Sequence, residues 1–206
     1  MAGAAALFAP AFADAGLDRA VRGLQTWLDG TRTLEGRFRQ SLLSAALGAG
    51  VEERGRILIA KPGHLRWDYL DPERKTAIVD GDRTLLYLPE DRQLIRGRIS
   101  REHAILPDLL AGGGRVSDLF EVSSAGTEGA GAGVKLRLRP RAGDGTIEEA
   151  TLGLDARTFA IVEAEVLDAA GNRMLFRFEG WKRNGRIPEG TFAFEPPAGT
   201  EIVDSE

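Results

Sequence analysis

The chain contains no cysteine among its 206 residues, and this absence excludes several classes of site. Without thiols there can be no disulfide framework, no cysteine nucleophile and no cysteine-rich zinc site. No lipid can be attached through an N-terminal cysteine either. No apolar run reaches the roughly 20 residues that a membrane-spanning helix needs. The sequence therefore predicts a globular protein without covalent cross-links.

Concentrated positive charge and aromatic residues are also scarce. The net charge is -4, and basic and acidic residues are intermixed along the chain. Nucleic acid is not expected as a partner, because phosphate binding needs a concentrated basic patch. Aromatic residues make up only 7%, but hydrophobic residues reach 43%, which predicts a packed core rather than disorder.

Residues with catalytic potential are few and isolated. The two histidines, His64 and His103, have no second histidine three or four positions away. Neither a nucleophile elbow nor a phosphate-binding loop is present. Glu148 and Glu149 are adjacent in a predicted strand, so their carboxylates point to opposite faces of the sheet. The sequence predicts no enzyme, no metal site and no cofactor.

The N-terminus is apolar and rich in alanine. Residues 1–13, MAGAAALFAPAFA, end in the small-x-small pattern of a signal peptidase site but lack a basic segment. We interpret them as a residual or truncated export signal, and residues 14–206 as a single domain. A disordered tail or an extra turn of the first helix is the alternative. An exported chain without cysteine suits a bacterial periplasm.

Hydrophobic periodicity predicts one helix followed by a large sheet. The spacing predicts a helix from Gly16 to Asp29, and a period of two begins at Leu34. About ten or eleven short strands follow in hairpins, which implies one antiparallel sheet with one solvated and one apolar face. Short helical pieces are predicted between Ala104 and Phe120, and a Gly/Ala-rich loop, SSAGTEGAGAG, follows them.

The apolar face of this sheet needs a cover. A sheet of this size curls as it twists, so the first helix and the short helical pieces must lie over its inner face. In GRILIAKPGHLRWDYLDP, Leu65, Trp67 and Tyr69 alternate with Arg66 and Asp68 and belong to that face. Two small helical elements are a modest cover. A hollow for a ligand and a filled core both remain open, because inward leucine and valine occur in any core.

Six motifs, in order along nearly the whole chain, resemble one family. They are LEGRFRQ, GRILIAKPGHLRWDYLDP, IVDGDRTLLYLP, LLAGGG with LFEV, DAAGNRMLFRFEGW and TFAFEPPAGTEIVD. With them the chain resembles the LolA family, the periplasmic lipoprotein carriers of Gram-negative bacteria. The resemblance implies a mainly β fold with a helical lid. The expected architecture is an unclosed antiparallel β-barrel of about eleven strands that encloses an apolar cavity covered by short helices.

The resemblance also implies a function. Such carriers bind the acyl chains of lipoproteins released by an inner-membrane ABC transporter and pass them to an outer-membrane acceptor, without a cofactor. The acceptor is itself a lipoprotein, so the absence of cysteine favours the soluble carrier, which we expect to be a monomer. The alternatives are a lipid-gated sensor or regulatory module of the same fold, and a carrier of another amphiphilic lipid.

Site residues follow from the strand pattern and from the family. The predicted cavity wall consists of Phe38, Leu58, Leu65, Trp67, Leu86, Leu136, Leu138, Leu154, Phe176 and Phe178. The predicted lid consists of Lys61, Ile105, Leu109 and Leu110. Both faces of the strand are apolar at Leu58 and Leu86, so the face of these two residues is ambiguous. Lys61 occupies the place of a family arginine that binds lid backbone, and lysine lacks the planar fork of arginine. Leu65 stands where the family often has an aromatic residue.

Overall fold

The computed structural model describes residues 10–98, 105–127, 133–142 and 145–205. The first helix, α1, spans Pro10–Asp29 and therefore begins earlier than the predicted Gly16. Ala20, Leu24, Trp27 and Leu28 recur at helical spacing on α1 and are buried. The predicted export signal lies mostly outside the described residues and stays a prediction. In the described part of the chain, no helix is both long and apolar enough to span a membrane.

The rest of the fold is one sheet with two short helices inserted into it. The strands are β1 Thr33–Ser44, β2 Gly48–Ala60, β3 His64–Asp71, β4 Lys75–Asp80, β5 Arg83–Leu88, β6 Gln93–Arg98, β7 Phe120–Thr127, β8 Val134–Pro140, β9 Ile147–Leu154, β10 Ile161–Asp168, β11 Arg173–Arg183 and β12 Glu201–Asp204. Between β6 and β7 lie α2, Ile105–Ala111, and α3, Val116–Leu119.

The sheet has twelve strands in the order β12-β6-β5-β4-β3-β2-β1-β11-β10-β9-β8-β7. All neighbours are antiparallel except β12, which pairs in parallel with β6. The order has two ends, so the sheet is not closed. The predicted fold, mainly β with an unclosed antiparallel sheet and few helices, is confirmed. The additional strand is β12, at the C-terminal edge.

The concave face of the sheet carries the main core. Alternate residues of most strands, such as Phe38, Ile57, Leu136 and Leu152, are almost fully buried there. The helix α1 packs against β7 and β8, and α2 packs against β2 and β3. The two helices thus cover different parts of one apolar face.

The convex face is charged over most of the sheet, as the alternation predicts. Cross-strand ion pairs such as Arg137 with Glu149 and Arg177 with Glu163 line it. Exposed pairs of this kind contribute little to stability, about 0–1 kcal/mol each. Their main effect is to keep this face in water and so to fix which face is buried.

Part of the convex face, however, is covered, and the prediction of one wholly solvated face is wrong there. Ile78 and Leu94 point away from the main core, yet they are buried. The C-terminal segment packs over them: the rings of Tyr87 and Phe194 lie 4.9 Å apart, and Arg66 Nη1 donates to the Thr191 carbonyl at 2.9 Å. A second, smaller apolar layer therefore fixes β3 to β6 from outside.

The loop predicted after α3 is shorter than expected. Residues Ser123 to Thr127 continue β7 and pair with β8, in spite of their small side chains. Backbone pairing to a neighbouring strand can outweigh weak intrinsic preference for strand. The glycine-rich remainder, residues 128–132, lies outside the described residues.

Candidate functional site

A cavity of about 340 Å³ lies between α2 and the concave face of the sheet. Its lining comprises Gln40, Leu42, Trp67, Tyr69, Leu106, Pro107, Ile147, Val166, Asp168, Asn172, Met174 and Phe176. Most of these side chains are apolar, and the polar ones are two amides, a phenol and a carboxylate. Such a composition suits an apolar ligand with a small polar part.

The volume of this cavity limits what it can hold as it stands. A dry cavity of about 150 Å³ accommodates benzene, so 340 Å³ accommodates on the order of a dozen carbons. That corresponds to most of one acyl chain. A ligand with several chains would need additional volume, which the movement of α2 could supply.

The predicted wall residues divide into two groups. Trp67 and Phe176 line the cavity. Six others lie in the packed core beside the cavity: Phe38, Leu65, Leu136, Leu138, Leu154 and Phe178. The sequence left open whether the concave face carries a filled core or a hollow for a ligand. Both occur, because most of this face is a filled core and one part of it is hollow.

Leu58 and Leu86, the two residues of ambiguous face, differ in outcome. Leu58 is opposite Arg66 in β3, on the face away from Trp67, so its prediction is wrong. Its neighbours Ile57 and Ile59 occupy the concave face and are fully buried. Leu86 is opposite Ala77, which is opposite Trp67, so Leu86 lies on the predicted face. It is two strands away from Trp67 and does not line the cavity.

The two leucines predicted for the lid are part of α2. Both side chains, Leu109 and Leu110, are almost fully buried. The side chain of Ile105 lies outside the described residues. Leu106 and Pro107 line the cavity and were missed, because the boundaries of a seven-residue helix leave its inward face uncertain. Met174 was also missed, although its alternation with Phe176 signals the same face.

Trp67 has an unusual indole group. Its Nε1 is buried and has no hydrogen-bond partner in the described structure. The ring itself packs against Phe38 and Phe176, with centroids 6.3 and 6.2 Å away. A buried indole N–H usually has a partner, and leaving it without one costs about 1–3 kcal/mol. By comparison, Trp181 Nε1 donates to the Ile161 carbonyl at 2.6 Å.

Two polar side chains, Tyr69 and Gln40, line the cavity beside the Trp67 ring. The Tyr69 hydroxyl donates to Gln40 Oε1 at 2.8 Å, and both residues line the cavity. Behind them, Lys75 Nζ lies 2.5 Å from Glu53 Oε1 and 4.4 Å from the centre of the Tyr69 ring. Burial, and secondarily the Glu53 carboxylate, raises the pKa of Tyr69 above its ordinary value. The phenol therefore stays neutral and remains a hydrogen-bond donor.

The turn between β2 and β3 is tied to the ends of both covering helices. Lys61 Nζ donates to the Leu28 carbonyl at 2.9 Å, near the C-terminus of α1. The Gly63 amide donates to the Ala111 carbonyl, the last residue of α2, at 2.8 Å. Burial lowers the pKa of Lys61 from its ordinary value. Lys61 thus contacts the backbone of α1, whereas the contact to the predicted lid helix comes from Gly63.

The two helices differ in how firmly they are attached. The C-terminus of α1 also receives hydrogen bonds from Arg183 to the Trp27 carbonyl at 3.1 Å and from Asn184 to the Gly30 carbonyl at 2.8 Å. For α2, the bond from Gly63 is the one hydrogen bond to the sheet among the described residues. Among the described contacts, opening α2 therefore breaks fewer hydrogen bonds than opening α1.

Metal-binding potential is limited. Across the described ranges, no group of three or more histidine, aspartate or glutamate side chains could hold a metal ion. His64 is near Asp80, with 2.7 Å between Nδ1 and Oδ1, and His103 lies outside the described residues.

Comparison with known proteins gives a consistent result. Residues 29–195 match the model of the family described as outer membrane lipoprotein carrier protein LolA. An outer-membrane lipoprotein carrier protein of Dechloromonas aromatica is 32% identical over 195 residues, covering 94% of this chain and 90% of the relative. One from Chromobacterium violaceum is 29% identical, covering 98% and 94%. A crystal structure of a conserved protein from Thermus thermophilus has a TM-score of 0.57 at 13% identity, covering 91% and 98%, which indicates a shared fold.

Proposed function

The chain belongs to the LolA family of outer membrane lipoprotein carrier proteins, and we propose that it binds the acyl chains of lipoproteins in the cavity beneath α2. This membership confirms the resemblance of its motifs. In the proposed function, the protein takes lipoproteins released from the inner membrane and carries them through the periplasm to the outer membrane. An inner-membrane ABC transporter would supply the cargo, and an outer-membrane acceptor would receive it.

The observation that carries this proposal is the apolar cavity under a weakly attached helix. The cavity accommodates about one acyl chain in its present volume. Modified lipoprotein N-termini carry more than one chain, so further chains would enter as α2 moves off Trp67 and Phe176. Release of the Gly63–Ala111 hydrogen bond would permit this movement.

Burial energy and lid closure then compete. A buried CH₂ contributes roughly 0.8 kcal/mol, so a dozen carbons contribute on the order of 10 kcal/mol before any cost. Displacing α2 costs the burial of Leu106, Leu109 and Leu110 against the sheet. This opposing term keeps the net affinity moderate, which a carrier requires because the cargo must leave again.

Trp67 has a specific role in this proposal. An acyl chain of a lipoprotein ends in an ester or amide carbonyl, which is a hydrogen-bond acceptor. The unpaired Nε1–H of Trp67 would donate to such a carbonyl once α2 has moved. Tyr69 and Gln40 beside it would face the polar linkage. The wall would then recognise acylated molecules and not merely alkyl chains.

The carrier hypothesis is preferred to the sensor or regulatory module of the same fold. The relatives that match over nearly the full chain are named as carriers. The fold alone would not discriminate between the two, since folds host different functions.

The test is a binding titration of the full chain. The protein is first loaded with an apolar dye whose fluorescence depends on its environment, and a triacylated lipopeptide is then added, with the unacylated peptide as control. Saturable displacement by the acylated form alone is the expected result. Displacement by both peptides, or by neither, would contradict binding through acyl chains.

Two neighbouring residues of β11 provide matched variants. Met174 lines the cavity, and Leu175 is half-buried on the opposite face. Met174→Gln places an amide in the apolar wall and should weaken lipopeptide binding roughly tenfold. Leu175→Gln should leave the affinity unchanged. Equal effects of the two substitutions would place the ligand elsewhere.

A further inference from the structure

The β1–β2 hairpin ends in an apolar tip. Residues 41–51, SLLSAALGAGV, contain no charged residue, and we call them the hairpin tip. Four large side chains of the tip are exposed: Leu42 by 42%, Leu43 by 47%, Val51 by 66% and Leu47 by 90%. Single exposed leucines are common, but four exposed large apolar side chains within eleven residues mark a contact surface.

The hairpin tip projects beyond the neighbouring strand. Pairing of β2 with β3 ends at Arg54 opposite Asp71, whereas residues 48–53 of β2 still pair with β1. This overhang corresponds to about 20 Å along the strand. The exposed side chains are therefore held away from the body of the protein on that side, where a large flat partner can reach them.

The hairpin tip lies at the cavity. Leu42 belongs to both the tip and the cavity lining. The Ala45 amide donates to Asn172 Oδ1 at 3.2 Å, and Asn172 also lines the cavity. The nearby acid, Asp168, accepts hydrogen bonds from the side-chain amide of Asn172 and from the backbone amides of Asn172 and Ala170, and these bonds lower its pKa. Whatever contacts the tip is thus brought next to the cavity.

Four arginines stand behind the hairpin tip, on the convex side. Arg39 lies opposite Arg54, and Arg37 lies opposite Arg56. Like charges directly across two strands destabilise a sheet, and here carboxylates offset them: Arg56 Nη2 lies 3.3 Å from Asp68 Oδ2. Glu52 and Glu179 are shared among three of the arginines. All four side chains are about half exposed or more, and we call them the arginine band.

We propose that the hairpin tip inserts into the interface of an anionic phospholipid bilayer while the arginine band binds its phosphates. An apolar surface with cations directly behind it is the pattern of interfacial membrane contact. The tip offers only two hydroxyl side chains for specific hydrogen bonds, which suits a fluid hydrocarbon better than a protein surface. Charge complementarity favours an anionic bilayer, although the whole chain carries a net charge of -4.

This contact would orient the protein on the membrane with its cavity next to the lipid. An acyl chain could then pass between bilayer and cavity along Leu42 without crossing open water. The inference concerns the protein and the bilayer only, so its test needs no cargo and is independent of the proposed function.

The first test is flotation of the full chain with vesicles of phosphatidylcholine alone or mixed with phosphatidylglycerol. The wild-type protein should float with the anionic vesicles, and added salt should weaken this binding. Leu47→Asp should reduce the bound fraction at least tenfold, and its exposure leaves folding unaffected. Ile202→Asp, at an exposed apolar position of β12, is the matched control and should bind as wild type.

The second test locates the inserted residue. The chain has no cysteine, so Leu47→Cys and Ile202→Cys each provide a single attachment site for an environment-sensitive fluorophore. A blue shift with anionic vesicles is expected at position 47 and not at position 202. Failure of the wild-type protein to bind protein-free anionic vesicles, or equal shifts at both positions, would overturn the proposal. In the first case the tip would be a protein-docking surface instead.

Discussion

Trp67→Phe separates the stability of the protein from its affinity for acylated ligands. Removing a buried N–H that has no partner should raise the free energy of unfolding by about 1–3 kcal/mol. The smaller ring loses packing against Phe38 and Phe176, which costs on the order of 1–2 kcal/mol. These two effects oppose each other, so the net change in stability should be close to zero.

Binding should respond differently. If the indole N–H donates to a ligand carbonyl, Trp67→Phe removes a hydrogen bond worth about 0.5–1.5 kcal/mol net, which corresponds to a loss of affinity of roughly two- to tenfold. A lipopeptide analogue in which every acyl chain is replaced by an ether-linked or N-alkyl chain lacks these carbonyls. The wild-type protein should prefer the ester-linked form, and the variant should bind both forms equally.

Trp181→Phe is the matched control, because this indole already has a partner, the Ile161 carbonyl. Losing that bond together with ring packing should cost about 2 kcal/mol or more of stability. Urea unfolding measures the stabilities and dye displacement measures the affinities. The reasoning is refuted if Trp67→Phe destabilises the protein as much as Trp181→Phe, or if it leaves the preference for ester-linked chains intact.

Three further predictions concern strand β2, Lys61 in the turn between β2 and β3, and Tyr69 beside the cavity. Ile57→Ala should cost about 2–5 kcal/mol in urea unfolding and Leu58→Ala clearly less, because only Ile57 faces the core. Burial lowers the pKa of Lys61, so unfolding free energy should rise as pH increases from that lowered pKa towards about 10.4, and Lys61→Met should abolish this rise. Burial raises the pKa of Tyr69, so stability should fall with pH above about 10, and less so in Tyr69→Phe.

Much of the sheet could be predicted because its strands alternate strictly. Phe176 and Phe178 alternate with charged residues, and both lie on the predicted concave face. At Ile57, Leu58 and Ile59 the pattern fails, since three consecutive residues are apolar. Leu58 is half-buried on the convex face, where no partner was expected, so the alternation gave no means of choosing its face.

Features that depend on distant segments could not be predicted from local pattern. Ile78 and Leu94 are buried because the C-terminal segment folds back over the convex face, which strand periodicity does not report. Likewise, the division of the concave face into packed core and cavity depends on where α1 and α2 lie. The sequence indicates an apolar face, but it does not indicate how much of that face a seven-residue helix covers.

The contacts of the turn between β2 and β3 were predicted only in outline. Its position beside the lid was expected from the family, and the structure places it between the ends of α1 and α2. The hydrogen bond to α2 comes from the backbone of Gly63. Every residue except proline has a backbone amide, so the residue type does not indicate this hydrogen bond. The sequence pointed only to the side chain of Lys61.

Amide hydrogen exchange tests directly whether acyl chains enter by displacing α2. The full chain is compared with saturating triacylated lipopeptide and with the unacylated peptide. Faster exchange is expected at Gly63, whose amide donates a hydrogen bond to the end of α2, and unchanged protection is expected in α1, which is held by Arg183 and Asn184. Unchanged or increased protection at Gly63 in the loaded protein would rule out entry by displacement of α2.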